Sequence, residues 1–200
     1  MKDDTGNGIL KSNAGWSFDL PPENFESHIE QSIPHYKACH DLIAKISDFF
    51  LPDNAVVYDI GTTTGAVTRG ILQRHPGKKF SITGLDVIPA MVDYATKKTS
   101  DPRASFICTN ALDYDFEKSH LIILYYTLQF IHPSVRVDLL KKIYDRLHWG
   151  GALILFEKVR APDARFQDYM GQIYTEFKMD NSFSPKQIIN IFCTFNIIFF

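Results

Sequence analysis

The sequence predicts an α/β fold in which helices cover both faces of a doubly wound, mostly parallel sheet. From residue 55 to residue 158, short apolar runs alternate with segments of helical periodicity. The run Leu121–Tyr126 contains no charged residue, as expected of a central strand that is covered on both faces. The chain shows no internal repeat and no interdomain linker. The sequence therefore predicts a flexible N-terminal head over residues 1–17 and a single α/β domain over residues 18–200.

The first half of the chain predicts one helix, followed by alternating strands and helices. Apolar residues recur at helical spacing after Pro34: Cys39, Leu42, Ile43, Ile46, Phe49 and Phe50. The β-branched run Ala55–Ile60 predicts the first strand, and a helix over about Gly65–His75 follows it. A second strand is expected over Phe80–Leu85. Proline suits the first turn of a helix, so the next helix is expected over about Pro89–Lys98.

The second half continues the same alternation. Three further strands are expected, over Ala104–Cys108, Leu121–Tyr126 and Ala152–Lys158. Two further helices are expected, over Pro133–Leu147 and about Asp163–Lys178. The tail Ile188–Phe200 is strongly apolar, and the β-branched and aromatic content of Phe192–Phe200 predicts one last strand there.

The overall composition excludes several classes of function. The 200-residue chain is 45% hydrophobic, has a net charge of −2 and carries no block of Lys or Arg, so no direct nucleic-acid contact is expected. Its three cysteines form no C-x-x-C pair, which predicts neither a disulfide framework nor a metal site and favours the reducing cytoplasm. No apolar run is long enough for a signal peptide or a membrane span, so no membrane partner is expected.

A glycine-containing turn follows the first predicted strand, within the segment Val57–Thr68, VYDIGTTTGAVT. Gly61 and Gly65 let the backbone approach a ligand where a Cβ atom would collide with it. Thr63 stands where the dinucleotide fingerprint G-x-G-x-x-G has its second glycine, and the loop carries no Lys or Arg. Both features weigh against a phosphate-rich cofactor such as NAD. The alternative is that the two glycines serve only a tight strand-to-helix turn.

Three polar side chains at successive strand ends fit a ligand without phosphate, S-adenosyl-L-methionine (SAM). Asp59 ends the first strand and is expected to face the amino-acid end of SAM. Asp86 follows the second strand and is placed to accept hydrogen bonds from both ribose hydroxyls, although it also suits a helix cap. Asn110, after the third strand, is expected at the adenine amine. Together these positions favour SAM binding over a purely structural turn.

Several longer segments resemble the carboxy-S-adenosylmethionine synthase family, whose members have the Rossmann-like class I methyltransferase fold and act in the tRNA wobble-uridine oxyacetate pathway. The matching segments are SIPHY (Ser32–Tyr36), VYDIGTTTGAVT, LDVIPAM (Leu85–Met91), YTLQFIHPSVRVDLLKKIYDRLHWGGALILFEK (Tyr126–Lys158) and, more faintly, EFKMDNSFS (Glu176–Ser184). The resemblance implies a cytoplasmic SAM-dependent transferase that makes carboxy-SAM from SAM and prephenate, a small-molecule substrate. It assigns no catalytic base.

The resemblance also implies a set of cofactor contacts. Tyr36 would lie near the amino-acid end of SAM. The other implied contacts are Gly61, Thr62 and Thr63 in the loop, Asp86 and Val87 at the ribose and the adenine edge, Asn110 and Ala111 beside the adenine, and Tyr125 at the position of a family asparagine.

The sequence departs from the family near its C-terminus. Phe192 takes the place of an arginine that pairs with the new carboxylate, and a carboxylate in a partly dry pocket needs a cation or several N–H donors. After the last predicted helix there is room for one strand, where the fold normally has two, so the C-terminal strands are expected to be truncated. The resulting sheet edge favours pairing with a second copy of the chain, as a homodimer. A divergent small-molecule methyltransferase, or a SAM-binding protein without turnover, is the alternative.

Two polar residues that follow the fourth predicted strand are also candidates for contacts with the second substrate. Gln129 and His132 lie where many class I enzymes place such contacts. His132 directly precedes Pro133, so it is equally suited to a structural position at the start of the next helix.

Overall fold

The computed structural model describes residues 21–189. These residues fall into two compact units: Tyr36–Lys158, and the described part of a second unit, residues 21–35 and 159–189. The single domain predicted over residues 18–200 stays a prediction. The predicted head, the predicted strand Phe192–Phe200 and the departure at Phe192 all lie outside the described residues.

Five parallel strands form the sheet of the first unit. They are β1 (Ala55–Ile60), β2 (Phe80–Asp86), β3 (Ala104–Cys108), β4 (Ser119–Tyr125) and β5 (Leu147–Phe156). Their order across the sheet is β3-β2-β1-β4-β5, and each neighbouring pair is parallel. The strand order therefore reverses between β1 and β4. This topology confirms the predicted α/β fold with a doubly wound sheet.

Six α-helices are found among residues 21–189 besides short 3₁₀ turns and a helical segment at 185–189. They are α1 (Pro22–Ser32), α2 (Tyr36–Ile46), α3 (Ala66–Arg74), α4 (Pro89–Lys98), α5 (Pro133–Arg146) and α6 (Ala164–Asp180). Proline occupies the first turn of α4 and α5, as predicted. The sequence did not predict α1, because PENFESHIEQS has too few apolar residues to mark a helical stripe. None of the helices in this part of the chain has the length and apolarity that crossing a bilayer requires.

The fifth strand begins five residues before its predicted start at Ala152. Its pairing with β4 is irregular, because Ser119 lies opposite Leu147 whereas Leu121 lies opposite Ala152. Gly150, with φ of +79°, lies within this bulge. Gly150 and Gly151, which precede the predicted start at Ala152, therefore lie inside an irregular strand rather than in a turn before it.

The sheet is buried on both faces by helices. Leu121–Leu124 of β4 are all fully buried, with alternate residues on opposite faces, which confirms the central strand. Ile71 of α3 packs in the cluster on one face, and Leu139 and Ile143 of α5 pack on the other. Not every apolar residue of the helical pattern is buried. Leu42 and Phe49, which share the spacing of buried Ile43, are 46% and 81% exposed.

The second unit has a small packed cluster of its own. The hydroxyl of Tyr174 in α6 donates to the carbonyl oxygen of Ser32 over 2.9 Å. Lys178 is buried, and its Nζ lies 4.6 Å from the centroid of the Phe183 ring and 5.1 Å from that of Tyr174. Cation–π contacts of this kind compensate part of the cost of burying an ammonium group.

Candidate functional site

The topology of the first unit locates one crevice for a ligand. In open α/β sheets, ligands bind outside the carboxyl ends of the strands, where the strand order reverses. Here the reversal lies between β1 and β4. The loop Gly61–Gly65 follows β1, and the loop that begins at Tyr126 follows β4. Every predicted cofactor contact, from Tyr36 to Tyr125, belongs to this unit.

The loop after β1 has an unusual backbone. Gly61 and Gly65 have φ of +74° and +78°, and Thr63 between them has φ of +48°. A β-branched residue rarely adopts this left-handed conformation, which costs on the order of 1–3 kcal/mol and is found mostly at functional sites. The backbone N–H of Thr63 donates to Asp86 Oδ2 over 2.9 Å. The strained conformation thus serves to connect the loop to the end of β2.

The two glycines leave room for protein atoms. A Cβ on Gly61 would lie 2.3 Å from Oγ1 of Thr127, which donates to the carbonyl oxygen of Ile60 over 2.9 Å. A Cβ on Gly65 would lie 3.1 Å from the Phe106 ring. The absent side chain at Gly61 therefore lets the loops after β1 and β4 meet, whereas the sequence interpretation assigned that space to a ligand.

Asp59, the acid at the end of β1, is held by two threonines. Its side chain is 1% exposed, and Oδ2 accepts hydrogen bonds from the hydroxyls of Thr62 over 2.8 Å and Thr68 over 2.7 Å. Burial raises the pKa of Asp59, and repulsion from Asp86 raises it further. Asp59 therefore anchors the loop and the first turn of α3. Its expected contact with the amino-acid end of a ligand stays a prediction.

Asp86 connects three segments at the end of β2. Its Oδ2 accepts the N–H of Thr63, and its Oδ1 accepts the N–H of Ile88 over 3.0 Å. The N-cap residue of α4 is Ile88, so Asp86 does not occupy the cap position. Burial raises the pKa of Asp86, whose side chain is 7% exposed. Each carboxylate oxygen has a further lone pair, so the group can still accept hydrogen bonds from two ligand hydroxyls.

The residues expected around the adenine lie next to this acid. Val87 is 63% exposed and Ala111 is buried. The side-chain oxygen of Asn110 accepts the N–H of Leu112 over 3.0 Å, which leaves its amide nitrogen as the donor for a ligand. The backbone of Asp86 also contacts the segment that leads to Asn110: the carbonyl oxygen of Asp86 accepts the N–H of Thr109.

An aromatic cluster brings Tyr36 and Tyr125 together. The hydroxyl of Tyr125 donates to the carbonyl oxygen of Tyr36 over 3.2 Å, and the two ring centroids are 5.7 Å apart. The ring of His40 lies 4.3 Å from that of Tyr36 and 4.8 Å from that of Tyr125. Burial raises the pKa of Tyr125, so its hydroxyl stays protonated at neutral pH. Tyr125 thus fixes the start of α2 against the end of β4.

The loop after β4 carries polar residues that the sequence analysis missed or left open. Glu157 accepts the N–H groups of Leu128 and Gln129, and burial raises its pKa. Glu157 directly follows β5, and the sequence gives no signal for its role because the 3₁₀ turn that it caps lies almost thirty residues earlier. The ring of His132 accepts the N–H of Ser134 at the start of α5, which identifies it as a helix cap. This bond uses one ring nitrogen of His132, so Gln129 and His132 both stay predictions as substrate contacts.

The residues present fit SAM better than a phosphate-bearing cofactor. The loop Gly61–Gly65 contains no cation, and the guanidinium of Arg69 in α3 is engaged by the carbonyl oxygen of Thr64. Asp86 offers acceptors for ribose hydroxyl groups and, at this position, would repel a phosphate on the ribose. SAM has two ribose hydroxyls and no phosphate, so its chemistry matches the groups at the carboxyl edge of β1 and β2.

Comparison with known proteins agrees with this fold. Residues 57–151 match the family model described as a methyltransferase domain. The structure is similar to that of the plantazolicin methyltransferase BpumL in complex with SAH (TM-score 0.59, 13% identity, 97% of this chain and 71% of that chain). A candidate SAM-dependent methyltransferase from Methanococcus maripaludis is also similar (TM-score 0.54, 18% identity, 92% and 89%). At these identities the two likenesses show the fold.

Curated relatives are more similar in sequence. The chain is 32% identical over 179 residues to a carboxy-S-adenosyl-L-methionine synthase of Staphylococcus epidermidis, which covers 87% of this chain and 77% of the relative. It is 34% identical over 189 residues to the protein of the same name from Helicobacter hepaticus, covering 90% and 79%. A Shewanella sp. (strain ANA-3) protein of that name is 33% identical over 168 residues, covering 82% and 69%.

Proposed function

We propose a specific reaction for this chain, starting from the premise that it belongs to the carboxy-S-adenosyl-L-methionine synthase family. The chain is a SAM-dependent transferase, and SAM is its cofactor. The proposed reaction converts SAM and prephenate into carboxy-SAM, phenylpyruvate and water. Prephenate loses its ring carboxyl group as CO2 and its ring hydroxyl as hydroxide, the methyl carbon of SAM loses a proton and bonds to the CO2, and the proton and hydroxide form water. The product would serve modification of the tRNA wobble uridine in the cytoplasm.

One observation carries the proposal: the buried carboxylate of Asp86 is held in place by the N–H groups of Thr63 and Ile88. Both oxygens are fixed before any ligand arrives, which reduces the entropic cost of binding. Two adjacent acceptors at the end of β2 suit the two hydroxyls of a ribose. The strained backbone at Thr63 supports the same interpretation, because strain of this kind is found mostly at functional sites.

The remaining contacts are assigned to the parts of SAM. Tyr36 and Tyr125 bind near its amino-acid end, and Asp59 acts on the same end through the loop that it holds. Gly61, Thr62 and Thr63 form the backbone wall of the cofactor site. Val87, Asn110 and Ala111 surround the adenine. Support for this arrangement is that all of these residues lie in one unit, at or next to the carboxyl ends of β1 to β4.

When bound, SAM supplies a positively charged sulfonium that activates its methyl group. Asp59, Asp86 and Glu157 lie on the elements around the crevice, and burial raises the pKa of each. Where they are ionised, these carboxylates favour a cationic ligand. The chain's own contribution to the rate is to orient SAM and the second substrate in a site from which water is partly excluded.

A second candidate function is methyl transfer to a neutral small molecule. The observation that favours it is the side chain of Tyr125, which stands at the position of a family asparagine and uses its hydroxyl on the Tyr36 carbonyl. An aromatic ring there replaces an amide that could pair with polar ligand groups. The acidic residues around the crevice also favour a substrate without negative charge.

Mass spectrometry separates the two functions. The purified chain is incubated with SAM and prephenate, and the cofactor is analysed for a gained carboxylate. Carboxy-SAM that forms only when prephenate is present would support the proposed reaction. A parallel incubation contains SAM and a set of neutral small molecules as methyl acceptors, and S-adenosylhomocysteine formed there, without carboxy-SAM in the prephenate incubation, would favour the methyltransferase. Calorimetric titration with SAM and with NAD tests the cofactor itself, and binding of NAD without SAM would contradict both functions.

A further inference from the structure

The loop after β4 forms one side of the crevice at which the strand order reverses. The loop after β1, on the other side, contains the residues assigned to the cofactor. The two loops touch where Thr127 fills the space beside Gly61. Tyr126 has φ of +54°, a strained value for a bulky residue. The loop after β4 is therefore placed to contact the molecule that reacts with the cofactor.

Gln129 is held within this loop by three hydrogen bonds. Its backbone N–H donates to the Glu157 carboxylate over 3.2 Å, and its backbone carbonyl oxygen accepts from Arg136 over 3.0 Å. Its side-chain nitrogen donates to the carbonyl oxygen of Tyr126 over 3.3 Å. This last bond fixes the orientation of the amide, because a flipped amide would place two oxygens against each other.

The side-chain oxygen of the same amide has no partner within residues 21–189. Oε1 of Gln129 is buried, and no donor lies within hydrogen-bonding distance of it. A buried acceptor without a donor is unfavourable, and each such atom in a folded protein calls for an explanation. The oxygen cannot turn towards solvent without breaking the bond between the amide nitrogen and Tyr126.

We propose that Gln129 is a specificity-determining residue, whose amide oxygen accepts a hydrogen bond from a hydroxyl group of the second substrate. The inference rests on the proposed function and names the chemistry of that substrate: a small molecule with a hydroxyl donor. A site with a fixed acceptor rejects analogues that lack the donor, because the acceptor is then left unpaired. Prephenate has such a hydroxyl, whereas its ionised carboxylates can only accept hydrogen bonds.

The test compares two variants of the full chain with prephenate as the probe. Gln129→Met preserves the length of the side chain and removes the oxygen. Gln172→Met is the matched control, because it makes the same substitution at an exposed position of α6, where the side-chain nitrogen of Gln172 donates to Glu176. For each protein, KM and kcat with prephenate are measured, the Kd of SAM is measured by calorimetry, and folding is checked by thermal unfolding. An analogue of prephenate without the hydroxyl is measured in parallel.

For Gln129→Met we expect KM for prephenate to rise roughly threefold to tenfold, the effect of one hydrogen bond between neutral groups. The Kd of SAM should stay within about twofold of wild type, which would exclude a donor from SAM itself. The dehydroxylated analogue should bind wild type and Gln129→Met alike, and Gln172→Met should keep the wild-type KM. An unchanged KM in folded Gln129→Met would overturn this inference and leave the proposed reaction standing. Wild-type chain that does not convert prephenate would overturn both.

Discussion

Replacing Thr68 by valine tests the anchor beneath the cofactor loop. Thr68 lies outside every set of contacts suggested by the sequence, yet its hydroxyl donates to Asp59 over 2.7 Å in a fully buried position. Valine has nearly the same shape without the hydroxyl, so the substitution removes one hydrogen bond and creates little cavity. Asp59 would then keep the hydroxyl of Thr62 and the backbone N–H of Thr68 as donors.

The size of the effect depends on the charge of Asp59. A hydrogen bond to an ionised acceptor contributes about 1.5–3 kcal/mol, and one between neutral groups about 1 kcal/mol. The pKa of Asp59 is raised above 3.8 by burial, so its contribution to stability is complete below pH 3.8 and decreases as the pH rises through the folded-state pKa. Thr68→Val removes a donor that favours the ionised form, so it raises this pKa further. We therefore expect a loss of about 2 kcal/mol where Asp59 is ionised and about half of that where it is protonated.

Urea unfolding at about pH 8 and about pH 4.5 measures how the loss changes with pH. Thr96→Val is the matched control, since its hydroxyl bonds to the carbonyl oxygen of Val92 on the exposed side of α4. It should change stability by less than about 0.5 kcal/mol at either pH. Thr68→Ser should keep most of the wild-type stability. Equal stability of Thr68→Val and wild type at both pH values, or a loss in Thr68→Ser as large as in Thr68→Val, would refute the reasoning.

Two further predictions concern the contact between loops and the amino ends of the strands. Gly61→Ala should destabilise the fold by at least about 1–2 kcal/mol, because φ is +74° and the new Cβ would meet Thr127. The double variant with Thr127→Ala should recover the part due to the clash, and urea unfolding that shows no recovery would contradict this contact. Burial, and then repulsion from His148, lowers the pKa of His120 below 6.5, and its Nδ1 accepts the Val56 N–H over 3.2 Å. The stability that neutral His120 contributes is complete above pH 6.5 and is lost as the pH falls through the folded-state pKa. In His120→Gln, the free energy of unfolding should therefore depend less on pH in this range. A pH profile identical to that of wild type would contradict this prediction.

The sequence alone predicted the strands, the acids at their ends and the helices that begin with proline. These features depend on local patterns: an uninterrupted apolar run for β4, a terminal acid for Asp59, and Pro89 for α4. Local patterns also place Asp59 and Asp86 at one edge of the sheet, because the carboxyl ends of neighbouring parallel strands lie on the same side. The fold class, and the placement of the candidate site at this edge of the sheet, could therefore be predicted from the sequence.

The contacts that hold the site together were not accessible in this way. Thr68 reaches Asp59 from a helix, Thr127 reaches Gly61 from another loop, and Glu157 caps a turn that precedes it by almost thirty residues. None of these residues has a sequence signal, because a threonine or glutamate gains its role only from the element packed against it. The predicted start of β5 at Ala152 was wrong for a related reason: the bulge before it depends on the pairing of β5 with β4, which no local pattern shows.

Calorimetric titration of SAM into wild type, Asp86→Asn and Asp86→Ala is the most direct test of the cofactor site. Two hydroxyl donors to a charged acceptor contribute about 3–6 kcal/mol, so we expect the Kd of SAM to rise more than about 100-fold in both variants, with thermal unfolding confirming a folded protein. Asp86→Asn retains the shape of the side chain and separates loss of charge from loss of packing. A folded Asp86→Asn or Asp86→Ala chain that binds SAM within about threefold of wild type would contradict the assignment of Asp86 to the ribose.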